Sequence, residues 1–93
     1  MSEEKLWIRH PKYTFIEISE DGKIRMSGKI VKPYIYDGLP RVKFRYGKIR
    51  IQAALLVLQA WSPCPGDPRY YRIGYYDDNP LNISPFNLYW YSV

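Results

Sequence analysis

At 93 residues the chain has room for one small domain with a thin core, since a domain of this size buries only about 60–65% of its unfolded surface. A hydrophobic fraction of 46%, with three Trp, three Phe and ten Tyr, argues against disorder, and a single cysteine, Cys64, rules out an internal disulfide and a cysteine-rich zinc site. The formal charge of +5 is unevenly placed: of fourteen Lys and Arg, twelve lie in residues 1–50, and the nine between Lys23 and Arg50 share that stretch with one acid, Asp37. Such an excess attracts phosphate backbones or an acidic protein surface. The start, "MSEEKLWIRH", has no apolar run of signal-peptide length, and no segment is apolar enough to span a membrane, so the expected compartment is the cytoplasm.

In chain order, residues 1–12 read as an N-terminal arm, with the lone histidine, His10, on the surface. "YTFIEISEDGKIRM" predicts two strands around a turn at Asp21-Gly22. "KIVKPYIYDGLPRVKFRYGKIRI" continues in strands, with turns at Asp37-Gly38 and Tyr46-Gly47 and an edge or irregular strand at Pro33. In "RVKFRY", Val42, Phe44 and Tyr46 alternate with Arg41, Lys43 and Arg45; after the turn Ile49 and Ile51 alternate with Lys48 and Arg50. Successive strand side chains point to opposite faces, so this hairpin is expected to place Arg41, Lys43, Arg45, Lys48 and Arg50 on one side. These five are the candidate nucleic-acid-binding residues.

"QAALLVLQAW" (Gln52–Trp61) is the predicted helix, apolar nearly all round and therefore buried or holding a second apolar partner. "SPCPGDP" is loop, "RYYRIGYY" strand and "DDNP" turn. "SPFNLYW" is predicted as a short helix with Ser84 as N-cap and Pro85 at its first position. Leu56, Trp61 and Trp90 are the expected core. Tyr34, Tyr36, Tyr70 and Tyr71 are candidates for stacking on bases.

Three stretches together resemble phage-type HNH homing endonucleases: "FIEISEDGKI" (Phe15–Ile24), "ALLVLQAWSP" (Ala54–Pro63) and "GYYDDNPLNISPFNLYW" (Gly74–Trp90). The third is the specific one, with Asp77, Asn79, Asn82, Asn87, Leu88 and Trp90 in register. The resemblance implies an α+β fold: a small strand-rich domain with a degenerate ββα-metal unit. It divides one domain into the arm, a basic strand region at 13–51 and the HNH motif region at 52–90. In active members a metal ion clamps the phosphate and a histidine activates water. Carried over, the general base falls on Tyr75 and a metal-binding residue on Gly74. The histidine and arginine that open the helix motif fall on Ala54 and Leu55, and Asn87 matches a position that can carry a metal ligand.

An unperturbed tyrosine titrates near 10 and activates water poorly, and glycine offers no ligand, so the expected protein is a pseudo-nuclease with no catalytic residues and no cofactor. Asp77-Asp78 could hold Mg²⁺ and support a weak nickase, but Asp in such a loop more often braces a turn. The leading expectation is binding of nucleic acid, DNA foremost, by the basic hairpin. The alternative is a protein-binding module, an inhibitor of a host or viral enzyme acting in the host cytoplasm, with Ala54, Leu55, Tyr75 and Tyr76 at its interface.

Overall fold

Short runs of alternating apolar and polar residues make the first third of the chain a meander. In the computed structural model, which describes residues 5–93, β1 (Trp7–Arg9), β2 (Ile16–Ser19), β3 (Ile24–Met26) and β4 (Lys29–Val31) form one antiparallel sheet in sequential order. Period-two alternation sends Ile16, Ile18 and Ile24 to the same side, where all three are buried. The turn after β2 is held by Asp21, which accepts from Ser19 Oγ and from Lys5 Nζ at 2.8 Å. Gly22, at φ 85°, sits where a Cβ would come within 2.5 Å of Ile83 O, so this turn lies against the loop near the far end of the chain.

A second sheet, β5 (Tyr34–Tyr36), β6 (Leu39–Phe44) and β7 (Ile49–Gln52), follows in the order β5-β6-β7. Its first connection is the expected two-residue Asp37-Gly38 turn, with φ of 56° and 78°, the left-handed pair a tight hairpin needs. Pro33 precedes β5, an edge strand, where a missing N–H breaks no ladder. Val42 and Phe44 face the core. The chain then enters α1 (Ala53–Trp61) without a side-chain cap, and Ala53, Ala54, Leu56, Val57 and Leu58 are buried. The helix contacts β1 and β2, β6 and β7, and β9 of the third sheet described next. One apolar cluster joins Ile16, Ile18 and Ile24 to Val42, Phe44, the helix and Leu88.

The third sheet is a hairpin of β8 (Tyr71–Tyr75) and β9 (Leu88–Ser92), joined by a long loop. Here the structure departs from the expected C-terminal helix. Only Pro85–Asn87 form a single 3-10 turn, and Ser84 makes no capping bond. Leu88-Tyr89-Trp90-Tyr91-Ser92 is aromatic and alternating, and it satisfies its backbone across β8, from Tyr71↔Ser92 to Tyr75↔Leu88. The expected N-terminal arm is also corrected in part. Residues 1–4 lie outside the described ones, but Trp7–Arg9 pair with Glu17–Ser19, and the Arg25 guanidinium lies 4.1 Å from the Trp7 ring centroid. Trp61 and Trp90 are half-buried against the core, their indole N–H groups donating to Ile18 O at 3.2 Å and Ser62 O at 2.6 Å.

His10 is not the surface residue its position suggests. It is 1% exposed, Nε2 meets Gln59 Oε1 at 2.8 Å, and Nδ1 accepts the N–H groups of Lys12 and Tyr13 at 3.1 Å. This pattern fits a neutral ring protonated on Nε2. Burial chiefly, and Lys12 in addition, push its pKa below the usual value, against the opposing bond to Gln59. Between that lowered value and about 6.5 the unfolded chain binds the proton and the folded chain does not, so stability falls as pH drops through this window. Thermal melts from neutral pH to pH 5 are expected to show a falling Tm for the parent. They should show a flatter profile for His10→Asn, whose Oδ1 can accept the same two N–H groups. Equal slopes in both would remove His10 as the cause.

Candidate nucleic-acid interface

Strand register decides which cations share a surface. Arg41 lies opposite Gln52 and Lys43 opposite Arg50, so Arg41, Lys43 and Arg50 project from the face of β6 and β7 that carries no core residue. Two tyrosines of β5 border them: the Arg41 guanidinium lies 5.5 Å from the Tyr36 centroid and Lys43 Nζ 5.6 Å from that of Tyr34. Lys43 and Arg50 are like charges directly across the ladder, which costs stability and gains a doubly positive spot.

Arg45 and Lys48 do not continue this row. Arg45, Tyr46 and Gly47 all take left-handed φ, at 55°, 58° and 79°, so alternation stops at Phe44. Arg45 turns to the opposite side, 5.9 Å from the Tyr13 centroid, and Tyr46, expected on the apolar face, is fully exposed. Lys48 sits exposed in the turn, its N–H bonded to Arg45 O. Among the described residues the ion pairs are Lys5–Asp21, Arg25–Glu17 and Arg69–Asp67, and none involves the five hairpin cations.

Of Arg41, Lys43 and Arg50, Arg50 alone also lines a cavity of about 600 Å³. It is lined as well by Gln52, by Leu55 of α1 and by Tyr71, Ile73 and Tyr75 of β8. Two of the four expected protein-interface residues, Leu55 and Tyr75, are half-buried here. Tyr76 is exposed beyond the end of β8. Ala54 is corrected: it is 2% exposed and packs in the core, so it offers no surface to a partner. Of the stacking candidates, Tyr36 and Tyr70 are exposed, while Tyr34 and Tyr71 are half-buried.

The Asp/Asn loop is built around Asp77. Its Oδ1 accepts from Asn79 N and Asn87 Nδ2, both at 2.9 Å, and its Oδ2 from Asn82 Nδ2 at 2.8 Å. Asn87 returns the contact, its Oδ1 accepting from Asp77 N at 3.1 Å while Nδ2 also donates to Asn82 O at 2.9 Å. The bond from Asn82 foremost, then those from Asn79 N–H and Asn87, hold the Asp77 carboxyl below the ordinary range. That contribution to the loop is present above about pH 4 and is lost as pH falls through the lowered value. Asp77 braces the turn, as the sequence suggests, and Asn82 and Asn87 complete the brace.

At the positions that resemble metal ligands, the residues present do not fit a histidine-centred metal site. Gly74 has no ligand atom, and a Cβ there would lie 2.2 Å from Tyr89 Cζ, because the Tyr89 ring lies across the glycine. Burial pushes the Tyr75 phenol above its usual value, and the Asn87 amide is committed on both atoms. Among the described residues, no three His, Cys, Asp or Glu side chains gather where they could hold a metal ion. The oxygen donors of Asp77 and Asp78 are the carboxylates nearest this hairpin in sequence.

No protein-family model matches the chain, and no curated protein does. A solved structure does: that described as "DNA binding and cleavage by the HNH homing endonuclease I-HmuI" superposes with a TM-score of 0.75 at 28% identity. The match covers 94% of this chain and 52% of the other, so the chain spans about half the length of the protein it resembles. This overturns the expectation of a non-enzyme. The fold is shared with a homing endonuclease, and exchanged histidine positions do not by themselves establish lost catalysis. Among the described residues no helix is long and apolar enough to cross a membrane. With its three antiparallel sheets around one helix, the chain folds like an HNH endonuclease over nearly all of its own length.

Proposed function

We propose that the chain is a DNA-directed protein of the HNH endonuclease fold that grips the phosphate backbone through Arg41, Lys43 and Arg50, with Arg45 and Lys48 reaching strands that pass the turn. The observation that carries this reading is a row of cations without carboxylate partners, set on the fold of a protein that binds and cleaves DNA. Phosphate contacts of this kind position a duplex and do not read its sequence.

The likeness also makes strand cleavage the activity to assay. Supercoiled plasmid with Mg²⁺ or Mn²⁺ is the substrate, and nicking that grows in proportion to the protein and is lowered in Asp78→Ala would establish cleavage. Asp78 is the better target because it is exposed in the loop at φ 58°, whereas Asp77→Ala would collapse the hydrogen bonds that shape the turn. Nicking that persists undiminished in Asp78→Ala would remove that carboxylate from the chemistry. A parent that binds duplex and never nicks it would leave binding as the function.

A further inference from the structure

The hairpin of β8 and β9 has a second face, turned away from the core, whose residues the duplex reading does not use. Residues paired across an antiparallel ladder project to the same side, so Arg72 with Tyr91 and Gly74 with Tyr89 share this outer face, while Ile73, Trp90, Tyr75 and Leu88 turn inward. Tyr76 continues the outward alternation just past the strand. The rings form a continuous row: Tyr76 and Tyr89 centroids are 4.5 Å apart, and Tyr89 and Tyr91 are 6.2 Å apart. Tyr76 is 71% exposed and Tyr91 45%. Tyr89 lies over Gly74, which has no side chain to displace the ring, and is half-buried between Gly74 and Tyr76.

We infer that this outer face is a stacking platform for unpaired bases of a single nucleic-acid strand, with Arg72 holding the backbone beside Tyr91. Arg72 is exposed, bonds only carbonyl oxygens (Tyr71 O at 2.9 Å and Arg69 O at 3.3 Å) and has no carboxylate partner among the described residues. Arg69, by contrast, is neutralised by Asp67 at 2.7 Å. Charge also sets the direction of the strand's path. Asp77 and Asp78 follow Tyr76, so phosphates are repelled at that end and drawn towards Arg72, which with Arg50 borders the cavity. Flat aromatic faces next to a free guanidinium suit bases of any sequence, since every base has a π-face. An apolar protein partner would find no use for the cation. The inference shares with the proposed function the class of partner; its tyrosines lie on β8–β9 and not on the β6–β7 hairpin, although Arg72 and Tyr91 border the cavity that Arg50 also lines.

The test uses the full chain, a short fluorescein-labelled oligothymidylate and a random duplex, read by fluorescence anisotropy at low salt. Replacing Tyr76 and Tyr91 together by Ala is expected to weaken oligothymidylate binding about tenfold or more and to leave duplex binding within about twofold. Both rings are exposed, so the fold should survive; circular dichroism checks this. If the double variant unfolds, photo-crosslinking of an iodouracil-substituted oligonucleotide to the parent replaces it, with adducts expected on Tyr76, Tyr89 or Tyr91. Undiminished oligothymidylate binding by a folded variant, or adducts confined to other residues, would overturn the inference and leave duplex binding standing. Oligothymidylate binding without duplex binding would uphold the inference and sink the hairpin reading. A parent that binds neither, and instead self-associates through these tyrosines, would overturn both in favour of a second copy of the chain.

Discussion

Replacing Arg41, Lys43 and Arg50 together by Ser is expected to weaken binding to a random duplex by about two orders of magnitude at 0.1 M salt and to flatten the log–log salt slope by about 2.7. The arithmetic follows from counterion release, at about 0.9 per phosphate neutralised, and from three cations on one face. The loss should be alike for all sequences, because backbone contacts carry no base information. The register makes a sharper claim than charge counting. The triple exchange of Arg41, Lys43 and Arg45, drawn from consecutive outward positions in the sequence, should flatten the slope less, since Arg45 points to the other side of the sheet. Equal effects of the two triples would show that the turn folds back and that all the hairpin cations reach one strand of DNA. An unchanged slope in both would remove the hairpin from the interface.

The second large effect concerns stability. Leu56→Ala is expected to cost about 2–5 kcal/mol and to lower Tm by roughly 10–30 °C, a large share of what a small domain possesses. Leu56 is fully buried on the helix that joins all three sheets, so the space it leaves cannot be filled from solvent. Trp90→Ala should cost less than its size suggests. Its ring is half-buried beside the cavity, and the bond it forfeits is one indole N–H to Ser62 O. Paired thermal melts give the ranking directly. A Leu56→Ala protein that melts within a few degrees of the parent would show that α1 is not the centre of the core.

Much of this architecture is legible along the chain, and the parts that are not share a cause. The Asp37-Gly38 hairpin, the apolar helix, the edge position next to Pro33 and the Asp77 brace all follow from residues within a few positions of one another. His10 is buried by Gln59, 49 positions away, and nothing near His10 announces it. Leu88–Ser92 is a strand because Tyr71–Tyr75 lies beside it; its own Ser-Pro start argues for a helix. Period-two counting puts Arg45 with Arg41 because it cannot see a left-handed turn that begins one residue early. The C-terminal "NLYWYSV" shows in sequence that aromatics gather there, but not that Tyr89 and Tyr91 share an outer face with Tyr76. A glycine opposite an aromatic in a strand pair is the signal, and it becomes visible only once the register is known. The absent histidines concern Tyr75 and Ala54 alone and say little about the rest of a fold whose solved likeness is an endonuclease.

Among the described residues the three sheets share no strand ladder, and this separates their fates. The β8–β9 hairpin is hydrogen-bonded mainly within itself and through Tyr70–Val93 and Tyr76–Asn87 at its ends, and it rests on the remainder through Ile73, Leu88 and Trp90. It therefore has the makings of a separate foldon, able to swing off the helix as a unit while the other two sheets stay closed. Its amides would then exchange with solvent sooner than those of α1, and a nucleic-acid strand lying along its tyrosines would slow that exchange without adding a contact anywhere in the core.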